Sequence, residues 1–204
     1  MQDFIDFISE HQLRLLDIAG AILGLIYIIL EYKANIWFWI VSLIMPLVDM
    51  ALYYKAGLYA DFGMALYYAL ASVYGFIVWK TGSFSRKKGS YKEPLHIQHF
   101  PLSKILPCSI IFAVLWGGLF IFLDCATNST VPVRDSFTTA LSIIALWALA
   151  HKYIEQWILW IVVDIISCWL YIYKGIPFKA ILYGLYVIIA IFGYRKWTAM
   201  YADI

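Results

Sequence analysis

Apolar and polar positions alternate along this chain in long blocks rather than residue by residue. Seven runs are mostly apolar: about 13–31, 36–54, 61–80, 105–123, 136–151, 157–173 and 178–195. A helix needs roughly 20 such residues to cross the hydrocarbon core of a bilayer. The fourth run is the cleanest, with no charge between Lys104 and Asp124, and the fifth and seventh are short. No stretch alternates with period two, which argues against a β-barrel. The pattern predicts an all-α polytopic membrane protein of seven transmembrane helices, one transmembrane domain over 1–204. A single long polar segment, the basic loop 81–104, divides it.

The blocks repeat. At an offset of 118 residues Trp39 falls on Trp157, Tyr53 on Tyr171, Gly57 on Gly175, Tyr68 on Tyr186, Gly75 on Gly193 and Trp79 on Trp197. One ungapped offset carries all six, and the residues between match mostly as apolar for apolar. The chain reads as a first three-helix repeat over 13–80, a connector helix over 105–123 and a second three-helix repeat over 136–197. An odd number of helices per repeat, followed by a crossing connector, gives both repeats the same orientation. Parallel repeats of this kind are a known transporter architecture, with the solute site at mid-membrane between them.

Composition agrees. Hydrophobic residues make up 64% and charged residues 14%, with a mean hydropathy of +0.80. A soluble domain of this size has no core large enough to hide them. Trp and Tyr prefer the membrane–water boundary, which explains part of the 19% aromatic share. A net charge of +2 implies no nucleic-acid partner. Cys108, Cys125 and Cys168 are odd in number and unpatterned, so they read as small packing residues. The acidic start, MQDFIDFISEHQ, lacks the basic region of a secretory signal and reads as an amphipathic lead-in.

The charges also suggest a direction. Arg14, Lys55, Arg134, Lys174 and Lys179 fall on the side of the N-terminus, and the other ten Lys and Arg fall on the opposite side. The larger set belongs in the cytoplasm. The expectation is a multi-pass protein of a bacterial cytoplasmic membrane, N-terminus outside and C-terminus inside.

Two acids lie deep in apolar runs, Asp49 in the second and Asp164 in the sixth. Intramembrane charges are costly and usually face a cavity or a partner. Trp157, Trp160, Asp164, Ser167 and Tyr171 are spaced 3, 4, 3 and 4 apart, one stripe of a helix. Trp39, Ser42, Pro46, Asp49 and Tyr53 repeat that spacing, with the acids one turn apart in register. A pocket between the halves would show carboxylates among aromatic rings, which suits a flat cationic solute. Tyr67, Tyr68 and Tyr74 on the third helix, and Tyr183 and Tyr186 on the seventh, can stack on a ligand or bond to it. The candidate substrate-binding set is Asp164, Trp160, Trp157, Asp49, Tyr53, Tyr67, Tyr68, Tyr74, Tyr171, Tyr186 and Trp39. Pro46 is expected to kink or break its helix. Glu31, Lys33, His151 and Lys152 read as solvated helix ends. His96 and His99 form an i, i+3 pair without an evident third ligand, so no metal is expected. No phosphate loop, nucleophile elbow or zinc-protease motif is present, and neither cofactor nor catalytic residue is expected. A remote alternative is an intramembrane enzyme using Asp49 and Asp164 as acid and base. A scaffold without transport is a third.

The segments WFWIVSLIMPLVDMALYYKAGLYADFGMALYYALASVYGFIVW and WILWIVVDIISCWLYIYKGIPFKAILYGLYVIIAIFGYRKW resemble the PnuC family of vitamin transporters. The pair Trp157 and Trp160, the LY-x-D ending at Asp61 and the YG-x3-W from Tyr74 carry the resemblance together. It implies a 3+1+3 fold similar to a SWEET protein, and facilitated diffusion of an unphosphorylated vitamin trapped by a cytosolic kinase. It also implies that a homotrimer is plausible. In nicotinamide-riboside members a Gln is expected where this chain has Ala65, and an Asn where it has Asp164. Loss of both amides makes the chain look more like the thiamine-transporting PnuT branch, with nicotinamide riboside the alternative substrate.

Overall fold

The structure, a computed structural model, describes residues 23, 26–56, 59–82, 95–126, 131–173, 175 and 177–203. Seven α-helices carry these residues. The described part of α1 covers 26–32. It is followed by α2 (Trp37–Ala56), α3 (Tyr59–Thr81), α4 (Ile105–Ala126), α5 (Pro132–Ala150), α6 (Gln156–Tyr173) and α7 (Pro177–Ala202). A 3₁₀ turn, Leu102–Lys104, leads into α4, and no strand occurs among the described residues. Most of the first apolar run lies outside the described residues, as does the acidic N-terminus.

Five of these helices are long and apolar enough to span a membrane: Phe62–Thr81, Leu102–Cys125, Pro132–Ala150, Gln156–Tyr173 and Ala180–Ala202. A shorter apolar stretch, Trp37–Ala51, lies in α2. The fifth and seventh helices exceed their apolar runs. Pro132 stands at the first helical turn of α5, where its missing N–H costs nothing, so the helix begins before the run does. α7 continues two turns past Arg195 and Lys196 because Trp197, fully buried, keeps one face of the extension inside. α2 stays helical through Pro46, so the expected break does not occur.

The described residues form two compact units, divided between Phe76 and Ile77, within α3. In the first unit, Ser42 of α2 donates a hydrogen bond to Ser72 of α3 at 3.0 Å, and Ser72 donates to the Tyr68 carbonyl at 2.8 Å. In the second unit α6 packs on α7, and α5 packs on both α4 and α6.

The offset of 118 is written into the backbone as well. Ala34 (φ 50°) and Lys152 (φ 53°) are the positive-φ residues other than glycine among the described residues, and they stand 118 apart. Each sits in the turn that opens a long helix, α2 or α6. The bond from Lys33 N–H to the Ile29 carbonyl (3.1 Å) recurs from His151 to Trp147 (3.2 Å). Ala34 to Glu31 recurs as Lys152 to Leu149, both at 2.9 Å, and Asn35 to Leu30 as Tyr153 to Ala148. Phe38 to Asn35 and Trp39 to Ile36 recur as Gln156 to Tyr153 and Trp157 to Ile154.

Candidate functional site

Helical spacing turns the predicted α6 stripe inward. Asp164 is 6% exposed, Ser167 is buried and Trp157 is 3% exposed, while Ile158, Val162, Ile165 and Ile172 on other faces are exposed. The α2 stripe behaves alike: Trp39 is 1% exposed and Asp49 half-buried, against exposed Ile40, Ile44, Leu47 and Val48. The apolar outward faces are what a bilayer solvates.

The second unit gathers a polar cluster around Asp164. Its carboxyl acts electrostatically on the hydroxyls of Tyr183 and Tyr186, one helix away on α7. Tyr171 and Tyr183 share a hydrogen bond, and their rings stack at 5.2 Å with an interplanar angle of 16°. Tyr183 and Tyr186 meet edge to face at 5.8 Å. Among the described residues no Lys, Arg or His forms an ion pair with Asp164. Asp164 thus lies within electrostatic reach of Tyr183 and Tyr186, and carboxyl and rings together have the chemistry that suits a cation with a flat apolar body. Tyr183, left out of the candidate set, stands at the centre of the cluster. Its signal was its place on the α7 face that carries Tyr186 and Ala190.

Trp157 and Trp39 also pack closely between helices. An added Cβ at Gly193 would stand 2.7 Å from the Trp157 indole, and one at Gly75 closer still to that of Trp39. Each indole fills a notch that only glycine leaves open, wedging α6 to α7 and α2 to α3. Trp157 also meets Trp197 edge to face at 5.7 Å. Trp160 is half-buried on α6, as are Tyr67 and Tyr74 on α3. Tyr67 and Tyr68 meet edge to face at 5.5 Å. The side chain of Tyr53 lies outside the described residues. The set is thus divided: Asp164, Trp157, Trp160, Tyr171 and Tyr186 belong to the second unit, the others to the first.

A second polar cluster holds the α5–α6 turn. Gln98 donates its backbone N–H to the Lys152 carbonyl (3.1 Å), accepts from Ile154 (3.0 Å) and donates its amide to the His151 carbonyl (3.0 Å). Glu155 accepts the Phe100 N–H at 2.7 Å and pairs with His99 at 2.8 Å. Lys104 donates to the Tyr153 hydroxyl at 2.8 Å. Trp79 donates its indole N–H to the Leu149 carbonyl, and the Lys152 ammonium lies 4.5 Å over its ring. Burial pushes the Lys152 amine down to about 8, and lowers His151 below its ordinary value against the opposing pull of the Trp147 carbonyl. These are not the solvated helix ends expected of them, and Glu31 in the first unit is buried too.

Described elements that are all helical, with apolar outward faces, define a multi-pass membrane protein. Residues 14–199 match the family described as nicotinamide mononucleotide transporter. The chain belongs to this family, the PnuC family of vitamin transporters. It is 25% identical over 211 residues to the nicotinamide riboside transporter PnuC of Escherichia coli, covering 92% of this chain and 86% of that one. It is 24% identical to the riboflavin/roseoflavin transporter RibM of Streptomyces davaonensis, over 89% of this chain and 83% of that one. A crystal structure of the vitamin B3 transporter PnuC shares its fold, with a TM-score of 0.64 and 24% identity over 88% of this chain and 79% of that one.

Proposed function

We propose that this chain carries an unphosphorylated, cationic vitamin across the cytoplasmic membrane by alternating access, with thiamine the leading substrate. The observation that carries this reading is Asp164: buried, within electrostatic reach of Tyr183 and Tyr186, and without a basic partner among the described residues. An ionised carboxylate in a membrane interior needs a neutralising partner. A cationic solute supplies one. The same charge weighs against a phosphorylated solute such as a mononucleotide, and gives an uncharged flavin nothing.

Nicotinamide riboside is the second reading, favoured by the solute for which several relatives are named. Ala65 weighs toward thiamine, since a buried methyl offers a ribose hydroxyl no partner. Transport runs downhill, with a cytosolic kinase trapping the product. The recurring turn supports three-helix repeats of one orientation joined by α4. The Lys and Arg count supports an N-terminus outside. The working unit is a homotrimer.

Binding titrations of purified protein with thiamine and nicotinamide riboside test this. Asp164→Asn should weaken binding of the cation by about tenfold or more, the worth of one hydrogen bond to a charged group. Unchanged affinity removes Asp164 from the site. Tighter binding of the riboside than of thiamine keeps the site and overturns the choice of substrate.

A further inference from the structure

The face of α6 turned away from Asp164 carries Ile165, which is 53% exposed, and Trp169. With Ile166, Trp116 of α4, and Arg134 and Phe137 of α5, they line an open groove of about 460 Å³ with almost wholly apolar walls. The walls are fixed: Trp116 and Phe137 meet edge to face at 5.2 Å, and the Trp116 indole N–H donates to the Val133 carbonyl at 3.2 Å. Elsewhere on the same helices Val114, Ile121 and Ile172 are exposed too. Lipid tails are the solvent such a surface meets.

At one end stands a cation. Arg134 occupies the first turn of α5, its guanidinium 4.0 Å over the Trp169 ring and 5.9 Å from that of Tyr173, near the end of α6. Helix ends are where a spanning bundle meets the headgroup layer, and the aromatic rings belong to that layer too. Among the described residues no carboxylate forms an ion pair with Arg134. A guanidinium held by its face on a ring keeps its in-plane N–H fork, which matches a phosphate.

We propose that this groove is a binding site for one anionic phospholipid, its acyl chain along Trp116, Phe137, Ile165 and Ile166 and its phosphate on Arg134. The apolar walls fit the chain, and the cation selects the headgroup. The site lies on the side of α6 away from the tyrosine cluster and does not depend on which vitamin is carried.

Native mass spectrometry of purified protein with phosphatidylglycerol or phosphatidylcholine of matched chains tests the proposal. Wild type should retain the glycerol lipid about tenfold better, the worth of one charge-assisted hydrogen bond. Arg134→Gln should abolish that preference, and Arg134→Lys should keep part of it. Trp169→Leu, which removes the platform and leaves the charge, should also reduce it, and serves if Arg134→Gln does not fold. Equal retention of both lipids by wild type, or an unchanged preference in Arg134→Gln, overturns the proposal. Displacement of the lipid by excess inorganic phosphate overturns it in favour of a small-anion site. A lipid-free oligomer that Arg134→Gln dissociates overturns it in favour of a second copy in the groove.

Discussion

The turn that opens α2 and the turn that opens α6 share five backbone hydrogen bonds and a left-handed residue, yet different things hold them. The α2 turn is capped from within, the Asn35 side chain accepting the Trp37 N–H at 3.0 Å. The α6 turn puts Tyr153 and Glu155 at those positions, and both reach out to segment 98–104. Beyond each turn the same indole wedges into the same glycine notch. Further along, the stripes part: Pro46 stands opposite Asp164 in the alignment, and Asp49 opposite Ser167. The two helix pairs start and lock in the same way, and what surrounds the lock differs.

If the wedge is common to both halves, filling either notch should cost alike. Gly75→Ala and Gly193→Ala should each lose about 1–3 kcal/mol, as overpacked cores do, with Gly75→Ala the worse because its indole is closer. Detergent-solubilised protein titrated with denaturant and followed by circular dichroism gives both numbers. A tolerated Gly193→Ala beside a damaging Gly75→Ala would break the equivalence.

The different loads predict different losses. Glu155→Ala removes the acceptor of the Phe100 N–H and the partner of His99, so it should cost roughly 1–2 kcal/mol. It should also speed hydrogen exchange at the Phe100 amide. Asn35→Ala removes a helix cap and should cost about 1 kcal/mol. Its effect should stay local to α2. Equal exchange at Phe100 in wild type and Glu155→Ala would mean that the segment is held by its rings on Trp147 and Tyr153 instead.

Much of this architecture was legible in the order of residues. Apolar runs mark helices because the bilayer leaves no other way to satisfy the backbone. The offset of 118 is legible because wedge and notch are the largest and the smallest residue types, Trp and Gly. The inward face of α6 is legible from spacing alone, since Asp164 and Ser167 fall one turn apart. What escaped depends on contacts distant in sequence. That Trp39 and Trp157 also fill notches at glycines 36 residues on is invisible until those glycines are placed against them. Segment 95–101 has no period, and its structure comes from the turn more than 50 residues later. Glu31, at a helix end, carries no local sign that it is buried.

The smallest effect is the backbone strain common to the two left-handed residues. A side chain in that conformation costs roughly 1–2 kcal/mol, against about 0.4–1 kcal/mol of added chain entropy for glycine. Ala34→Gly should therefore gain about 0.5 kcal/mol, at any pH. Lys152→Gly has the same backbone gain, but it also deletes an amine whose burial lowers its pKa to about 8 from an ordinary 10.5. Below 8 the amine is charged in both folded and unfolded chains, and the fold carries the full burial penalty. Between 8 and 10.5 the unfolded chain holds more protons than the folded one, so wild-type stability climbs with pH. Above 10.5 the penalty is gone. The advantage of Lys152→Gly over wild type should thus shrink from pH 8 to 10.5, while that of Ala34→Gly stays level. Unfolding titrations at the two ends of that window read the difference, and a level Lys152→Gly profile would mean that the Trp79 ring, 4.5 Å away, compensates the charge in full.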